Sequence, residues 1–222
     1  MNKPANKEPR KERDHYPTPF ALALACVGRA ATLTGEAAPL SGLRARNVLD
    51  LGAGNGVWGR AARAIYWSAW LDGYELRPSP KPTHYDGWWT EDVLAADFTT
   101  RYGLILANPP YSSAEAFVRL ALRLLTPGGR AAFLLPLGFR ASQERNKPDG
   151  GLWSMAPLRE LAVITPRPSF TENGNTDSTD YGLFVFENGY AGPAVLTTLH
   201  WSRPSRKKVV QCEDEQYETS LA

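Results

Sequence analysis

The stretch Asn47-Val48-Leu49-Asp50-Leu51-Gly52-Ala53-Gly54-Asn55-Gly56 decides the fold. Its first five residues read as a short strand, apolar but for Asn47 and one carboxylate. Three glycines within the next five residues break that strand sharply. Glycine adopts backbone conformations closed to other residues and lets the main chain approach a ligand closely. From Val57 to Ala69 small and apolar residues run against Arg60 and Arg63, as in a helix. Strand, glycine loop and helix in that order open a βαβ unit.

Upstream, residues 1 to about 15 are polar without an apolar period and read as a disordered leader. Tyr16-Pro17-Thr18-Pro19 is a stiff extended entry to a helix over Phe20–Ala31, and 34–42 is loop. Downstream, a second strand falls near Asp72–Leu76. The Pro78, Pro80 and Pro82 stretch after it is loop. Trp88-Trp89 starts a third strand or caps the sheet edge, and Leu104–Ala107 is a fourth strand. Ser113–Leu125 is the clearest helix, with Ala114, Phe117, Leu120, Ala121, Leu124 and Leu125 on one face. Pro127-Gly128-Gly129 ends it, and Ala131–Leu135 is a fifth strand. Gly138–Gly151 is polar and reads as a mobile loop over the site. Leu161–Thr165 and Tyr181–Glu187 are two more strands, and Ala194–Trp201 allows another. The expected fold is α/β, with a mostly parallel seven-stranded sheet, an antiparallel edge strand and helices on both faces. It would form a single domain over residues 16–201, with a charged tail at 202–222.

The 222 residues suffice for a substantial core, and 43% hydrophobic with 22% charged residues is a globular composition. No apolar run reaches membrane-spanning length and no signal-peptide core is present, which points to the cytoplasm. Cys26 and Cys212 make no disulfide framework, and His15, His84 and His200 are too scattered to suggest a metal site. The net charge of +2 is uninformative, but its distribution is not. Arg203, Arg206, Lys207 and Lys208 cluster ahead of the acidic Glu213, Asp214, Glu215 and Glu218. Such runs are either solvated tails or phosphate contacts.

Asn108-Pro109-Pro110-Tyr111 follows the fourth strand directly. The prolines remove two N–H donors and stiffen the turn. Two acceptors remain, the Asn108 side-chain oxygen and the Pro109 carbonyl, with the flat face of Tyr111 nearby. That set suits a planar group bearing an exocyclic NH2; the plainer alternative is a strand-to-helix loop. The glycine loop is not a phosphate-binding P-loop, because no Gly-Lys-Ser/Thr follows. Gly54, Gly56 and Gly59 also satisfy the dinucleotide-binding spacing, so glycines alone leave both open. Glu75 ends the second strand, where a carboxylate can accept both hydroxyls of a ribose. Asp92 lies at a possible third strand end, placed to accept from an adenine amine.

Taken in order, these pieces resemble the Rossmann-like S-adenosylmethionine-dependent methyltransferases. Asp50-Leu-Gly-Ala-Gly-Asn-Gly resembles their cofactor loop. Asn108-Pro-Pro-Tyr resembles the signature of amino-methyltransferases, chiefly the DNA adenine-N6 group. Tyr16-Pro-Thr-Pro is similar to that group's N-terminal cofactor motif. Arg167-Pro-Ser-Phe170, with Thr176-Asp177 and Tyr181-Gly-Leu-Phe, is similar to a late aromatic motif of small phage-type members. The resemblance implies that Gly52, Gly54 and Gly56 hold the methionine end of S-adenosylmethionine, with Asp50 ordering the loop. It implies Glu75 on the ribose with Leu76 beside it, Asp92 on the adenine N6, and Tyr16, Thr18 and Pro19 closing over the cofactor. Asn108 and the Pro109 carbonyl would accept from the target amine, with Pro110 completing the turn, while Tyr111 and Phe170 sandwich a flipped base. DNA is the implied partner, met by Arg140, Arg145, Lys147 and the C-terminal basic run.

Little chain follows residue 190, so sequence discrimination would be weak or supplied by a partner protein. RNA, cytosine N4 and a protein glutamine amide are alternative acceptors, since each offers a planar NH2. A non-catalytic cofactor or nucleic-acid binder on the same fold is the alternative from another class.

Overall fold

The computed structural model describes residues 17–33, 46–156, 158–170 and 179–203. The leader with Tyr16, Thr176 and Asp177, and the tail with Arg206, Lys207 and Lys208 lie outside the described residues. Helix α1 spans Phe20–Ala31, strand β1 Asn47–Leu51, helix α2 Val57–Ile65, and strands β2 and β3 Trp70–Glu75 and Gly87–Thr90. Strand β4 (Tyr102–Ala107), helix α3 (Ala114–Leu124) and strand β5 (Leu125–Pro136) follow. The short helix α4 (Leu152–Met155) precedes strands β6 (Leu158–Thr165), β7 (Tyr181–Glu187) and β8 (Val195–His200).

The strands form one sheet in the order β3-β2-β1-β4-β5-β7-β6-β8. Period-2 alternation sends successive side chains to opposite faces. Leu104, Leu106, Ala132, Leu134, Leu183 and Val185 pack beneath α1 and α2. Their neighbours Ile105, Ala107, Ala131, Phe133, Phe184 and Phe186 pack with α3 and α4. Strand β4 is buried along its whole length, which explains its unbroken apolar run. Among the described residues, no helix is long and apolar enough to cross a membrane.

The α/β class with helices on both faces is as expected, and two details differ. The sheet has eight strands, because both Trp88-Trp89 and the last apolar segment pair into it. The antiparallel strand is not at the edge: β7 lies between β5 and β6, antiparallel to both. Its sequence is continuously apolar and all but its last residue are buried, as an interior position requires. The strand at that edge, β8, alternates between exposed and more covered residues. Gly138–Gly151 is also not a plain loop. It holds 3-10 turns at Leu137–Ala141 and Glu144–Asn146 before α4.

Helix α1 is docked through its carboxyl end, where the last carbonyls lack helical partners. Arg130, buried on β5, donates from Nη1 to the carbonyls of Ala30 at 3.0 Å and Ala31 at 3.1 Å. Its Nε lies 3.1 Å from the Glu187 carboxylate. Arg130→Ala should lower the unfolding free energy by about 3 kcal/mol, the low end for breaking a buried pair, since Glu187 keeps some solvent contact. A urea midpoint unchanged by the substitution would mean that apolar contacts alone dock α1.

Candidate active site

The direction in which strands are added reverses between β1 and β4, so their carboxyl ends open a crevice. The glycine loop leaves β1 there and Asn108 leaves β4 there. A cleft of about 230 Å³ results. Thr18, Gly52, Gly54, Glu75, Leu76, Asp92, Asn108 and Pro110 all line it. Sequence positions 18 to 110 thus converge on one site. Gly52, Gly54 and Gly56 take positive φ angles of 74°, 59° and 80°, which only glycine adopts without strain.

Asp50 stands behind the loop, fully buried. Its Oδ2 accepts from the Gly59 N–H at 3.0 Å and from the Tyr85 hydroxyl at 2.6 Å, so it ties the first turn of α2 to the segment before β3. Its Oδ1 has no hydrogen-bond partner among the described residues. Burial pushes the Asp50 pKa up to about 7, against the opposing pull of those two hydrogen bonds. His84 donates from Nε2 to the Gly56 carbonyl at 2.8 Å, and burial lowers its pKa, so a neutral ring holds the loop.

Glu75 ends β2 and is nearly buried. One oxygen accepts from the Gly54 N–H at 2.7 Å; the other accepts from the Arg77 N–H at 3.0 Å and from its Nε at 2.8 Å. Burial opposes ionisation here, but the Arg77 and Gly54 contacts outweigh it and hold the carboxyl below its ordinary value. Glu75 is therefore an ionised acceptor at the cleft wall. Leu76 and Leu94 flank the cleft with exposed apolar side chains. Asp92 sits at the rim with one oxygen on the Leu94 N–H.

Thr18 joins the two halves of the site. Its buried hydroxyl accepts from Asn108 Nδ2 at 3.0 Å and from Trp58 Nε1 at 3.2 Å. The amide is thereby turned with its amino end toward Thr18, which leaves Oδ1 as its other, accepting end. Pro19 caps α1 rather than lining the cleft, its carbonyl accepting from the Ala23 N–H. Pro109 is buried in the turn. Tyr111 donates its hydroxyl to that of Tyr181 at 3.1 Å. Tyr181 is 1% exposed and meets the Phe170 ring edge-on, with centroids 4.9 Å apart. Tyr111 and Phe170 are thus brought together through Tyr181, and Phe170 is itself 7% exposed.

The basic residues of the 138–151 segment do not line the cleft. Arg140 bonds Asn146 and covers the Trp153 ring. Arg145 pairs with Glu115 over the Phe139 ring, and Lys147 pairs with Glu144. Arg203 donates to the Arg167 carbonyl, three residues before Phe170.

Sequence reading missed Trp58, His84, Tyr85, Arg77 and Tyr181. Gly59 held the one available signal. A Cβ there would meet the Tyr85 ring at 2.2 Å, so glycine inside a helix marked the close approach of something large.

No protein-family model matches the chain. The tRNA1(Val) (adenine(37)-N6)-methyltransferase of Vibrio vulnificus is 28% identical over a stretch covering 41% of this chain and 52% of that protein. The chain thus spans about half the length of the curated relatives it matches. A Listeria monocytogenes protein assigned to the class I S-adenosylmethionine-dependent methyltransferases matches at TM-score 0.59 and 11% identity, over 82% of this chain and 65% of that one. The M protein of the type I restriction enzyme EcoKI matches at TM-score 0.58 and 16% identity, over 87% of this chain and 50% of that one. At these identities the likeness shows the fold, which is that of the Rossmann-like methyltransferases.

The raised Asp50 pKa makes a signed prediction. The group titrates at 3.8 when unperturbed and at about 7 in the folded chain. Between those values the folded chain binds the proton more tightly, so Asp50 contributes stability that declines as pH rises through the window. Other groups add their own slopes, so the wild type is compared with Asp50→Asn in urea unfolding at pH 5 and pH 7.5. The wild type should gain relative to the variant at pH 5. A difference that does not vary with pH would show that Asp50 ionises as freely in the folded chain as in the unfolded one.

Proposed function

We propose that this chain is an S-adenosylmethionine-dependent methyltransferase acting on the exocyclic N6 amine of adenine in DNA. The observation that carries the reading is the pairing, across the β1/β4 crevice, of a glycine loop and an ionised Glu75 with an Asn108 oriented by Thr18. The residues present fit the cofactor. Glycines allow close approach to its methionine end, an ionised carboxylate accepts ribose hydroxyls, and Leu76 and Leu94 offer apolar contact to its adenine. Asp92 at the rim accepts from the adenine amine, and Thr18 of the entry segment closes the other side.

The cofactor supplies a methyl group on a positively charged sulfur. The chain has to bind the acceptor base, orient its amine for in-line attack and stabilise the positive charge that grows on nitrogen. Asn108 Oδ1 and the Pro109 carbonyl accept from that amine, and such acceptors act most strongly where charge develops. Pro110 keeps the turn rigid. No covalent intermediate is required. An adenine within a duplex cannot enter a crevice at the ends of strands, so it leaves the stack, and Tyr111 and Phe170 receive it. Phe170 does so from a position buried against Tyr181, and its ring has to be uncovered for the base to meet it.

On this reading residues 16–201 form one methyltransferase domain. Arg203 with Arg206, Lys207 and Lys208 meets backbone phosphate, and a partner protein supplies sequence selection. A second acceptor, adenine in RNA, is favoured by one observation: the Vibrio vulnificus relative is named for adenine 37 of a tRNA.

Labelled methyl from S-adenosylmethionine, offered with DNA, tRNA and protein and followed by nucleoside analysis, should appear as N6-methyladenine in DNA. Label in N6-methyladenine of tRNA alone would move the assignment to RNA, and label in none would refute the enzyme. Asn108→Ala should lower single-turnover rate about 30- to 150-fold, corresponding to one charge-assisted bond of about 2–3 kcal/mol, while cofactor binding survives. Thr18→Val should cost about tenfold, because the amide loses its orienting partner but keeps its oxygen. Tyr111→Trp should retain much activity and Tyr111→Ala little, since a stacking face contributes about 1–3 kcal/mol.

A further inference from the structure

The acceptor capacity of Glu75 points to a role for Arg77. An ionised carboxylate offers about four acceptor positions, two on each oxygen. On Glu75 the Gly54 N–H takes one position on Oε2. The Arg77 N–H and Arg77 Nε take both on Oε1, at 3.0 and 2.8 Å. One position remains. A ribose brings two adjacent hydroxyl donors, so it cannot place both on Glu75 while all three protein donors stay. Two of those donors are main-chain groups, fixed by the glycine loop and by the end of β2. The third belongs to a side chain that is 45% exposed and lines the same cleft.

We propose that Arg77 is an internal competitor for the ribose subsite: its guanidinium occupies Glu75 Oε1 and is displaced by a vicinal diol. The proposal rests on the cofactor reading above. The contact adds a charged partner to a nearly buried carboxylate, which lowers the cost of burying its charge. It also weakens every diol ligand by the strength of one half-exposed charged hydrogen bond, which favours release of the demethylated cofactor. A ligand with a single ribose hydroxyl needs only the remaining position and leaves Arg77 in place. The competitor therefore acts on diols and not on deoxyribose analogues.

Calorimetric titration of the 222-residue wild type and of Arg77→Met with S-adenosylhomocysteine and with its 2′-deoxy analogue tests this. Methionine keeps the length of the stem and removes the donor. The variant should bind S-adenosylhomocysteine about three- to tenfold more tightly, and the 2′-deoxy analogue with unchanged affinity. Binding by the variant alone would support the competitor in its strongest form. Equal affinity of the two proteins for S-adenosylhomocysteine, weaker binding by the variant, or equal tightening of both ligands would overturn the proposal and leave the cofactor reading standing. Absence of S-adenosylhomocysteine binding in both proteins would remove the two together.

Discussion

A single buried carboxylate organises this molecule. Asp50 is wholly enclosed, and burying a charge is costly unless it is paired and fully hydrogen-bonded. Among the described residues it has two donors on one oxygen and none on the other. Those donors belong to Gly59 in α2 and to Tyr85, whose segment lies beyond β2, so one group joins three segments. The glycine loop hangs between the first two of them. Two further glycines exist for the same contact, because a Cβ at Gly59 or at Gly73 would meet the Tyr85 ring at 2.2 or 2.7 Å. The choice of residue at positions 50, 59, 73 and 85 is thus one decision, enforced by the volume of a phenol and the valence of a carboxylate.

The second constraint is the hydroxyl of Thr18. By accepting from Trp58 and Asn108 together, it ties the start of the chain to α2 and to the end of β4. Neither donor has to be the catalytic one for the bond to matter. An amide side chain presents a donor at one end and an acceptor at the other, and the hydroxyl decides which end faces which way. The orientation of the Asn108 amide therefore depends on a residue 90 positions earlier. The short proline-bounded entry segment is part of the site and not a mere lead-in to α1.

Much of this was legible in the sequence because it follows from local rules. Strand β1, helix α1 and strand β7 occupy the expected residues, since their apolar runs end at glycine, proline or charge. The convergence of Gly52, Gly54, Glu75, Asp92 and Asn108 on one cleft follows from strand ends sharing one side of a parallel sheet. What was not legible depends on contacts between segments. Tyr85 lies after a proline-rich loop with no periodicity, so nothing local announces that it tucks beneath the glycine loop. Tyr181 belongs to the stretch that resembles the late aromatic motif, but it reads there as one more residue of a strand. Its place beside Tyr111 follows only once β7 is known to run antiparallel, which brings its first residue to the rim where β4 and β5 end. Arg77 is one cation in a loop, and its bond to Glu75 is a matter of rotamer.

The same distinction bears on how an anionic substrate would be met. Arg140, Arg145 and Lys147 looked available while they stood in a loop without structure. In the fold each is committed: Arg140 to Asn146 and the Trp153 ring, Arg145 to Glu115 and the Phe139 ring, and Lys147 to Glu144. A phosphate recruiting Arg145 would first have to separate a partly buried ion pair and lift a cation from an aromatic face, which offsets much of what it gains. At the other end of the sheet Arg203 is tied to a main-chain carbonyl instead. Strand β8 runs parallel to β6 and finishes beside it, with the Trp201 indole donating to the Pro166 carbonyl and Arg203 reaching the Arg167 carbonyl. Arg203 therefore stands next to the segment bearing Phe170, whose ring meets Tyr181 and through it Tyr111. The Arg203 cation and the aromatic cluster are joined there through residues 167–170.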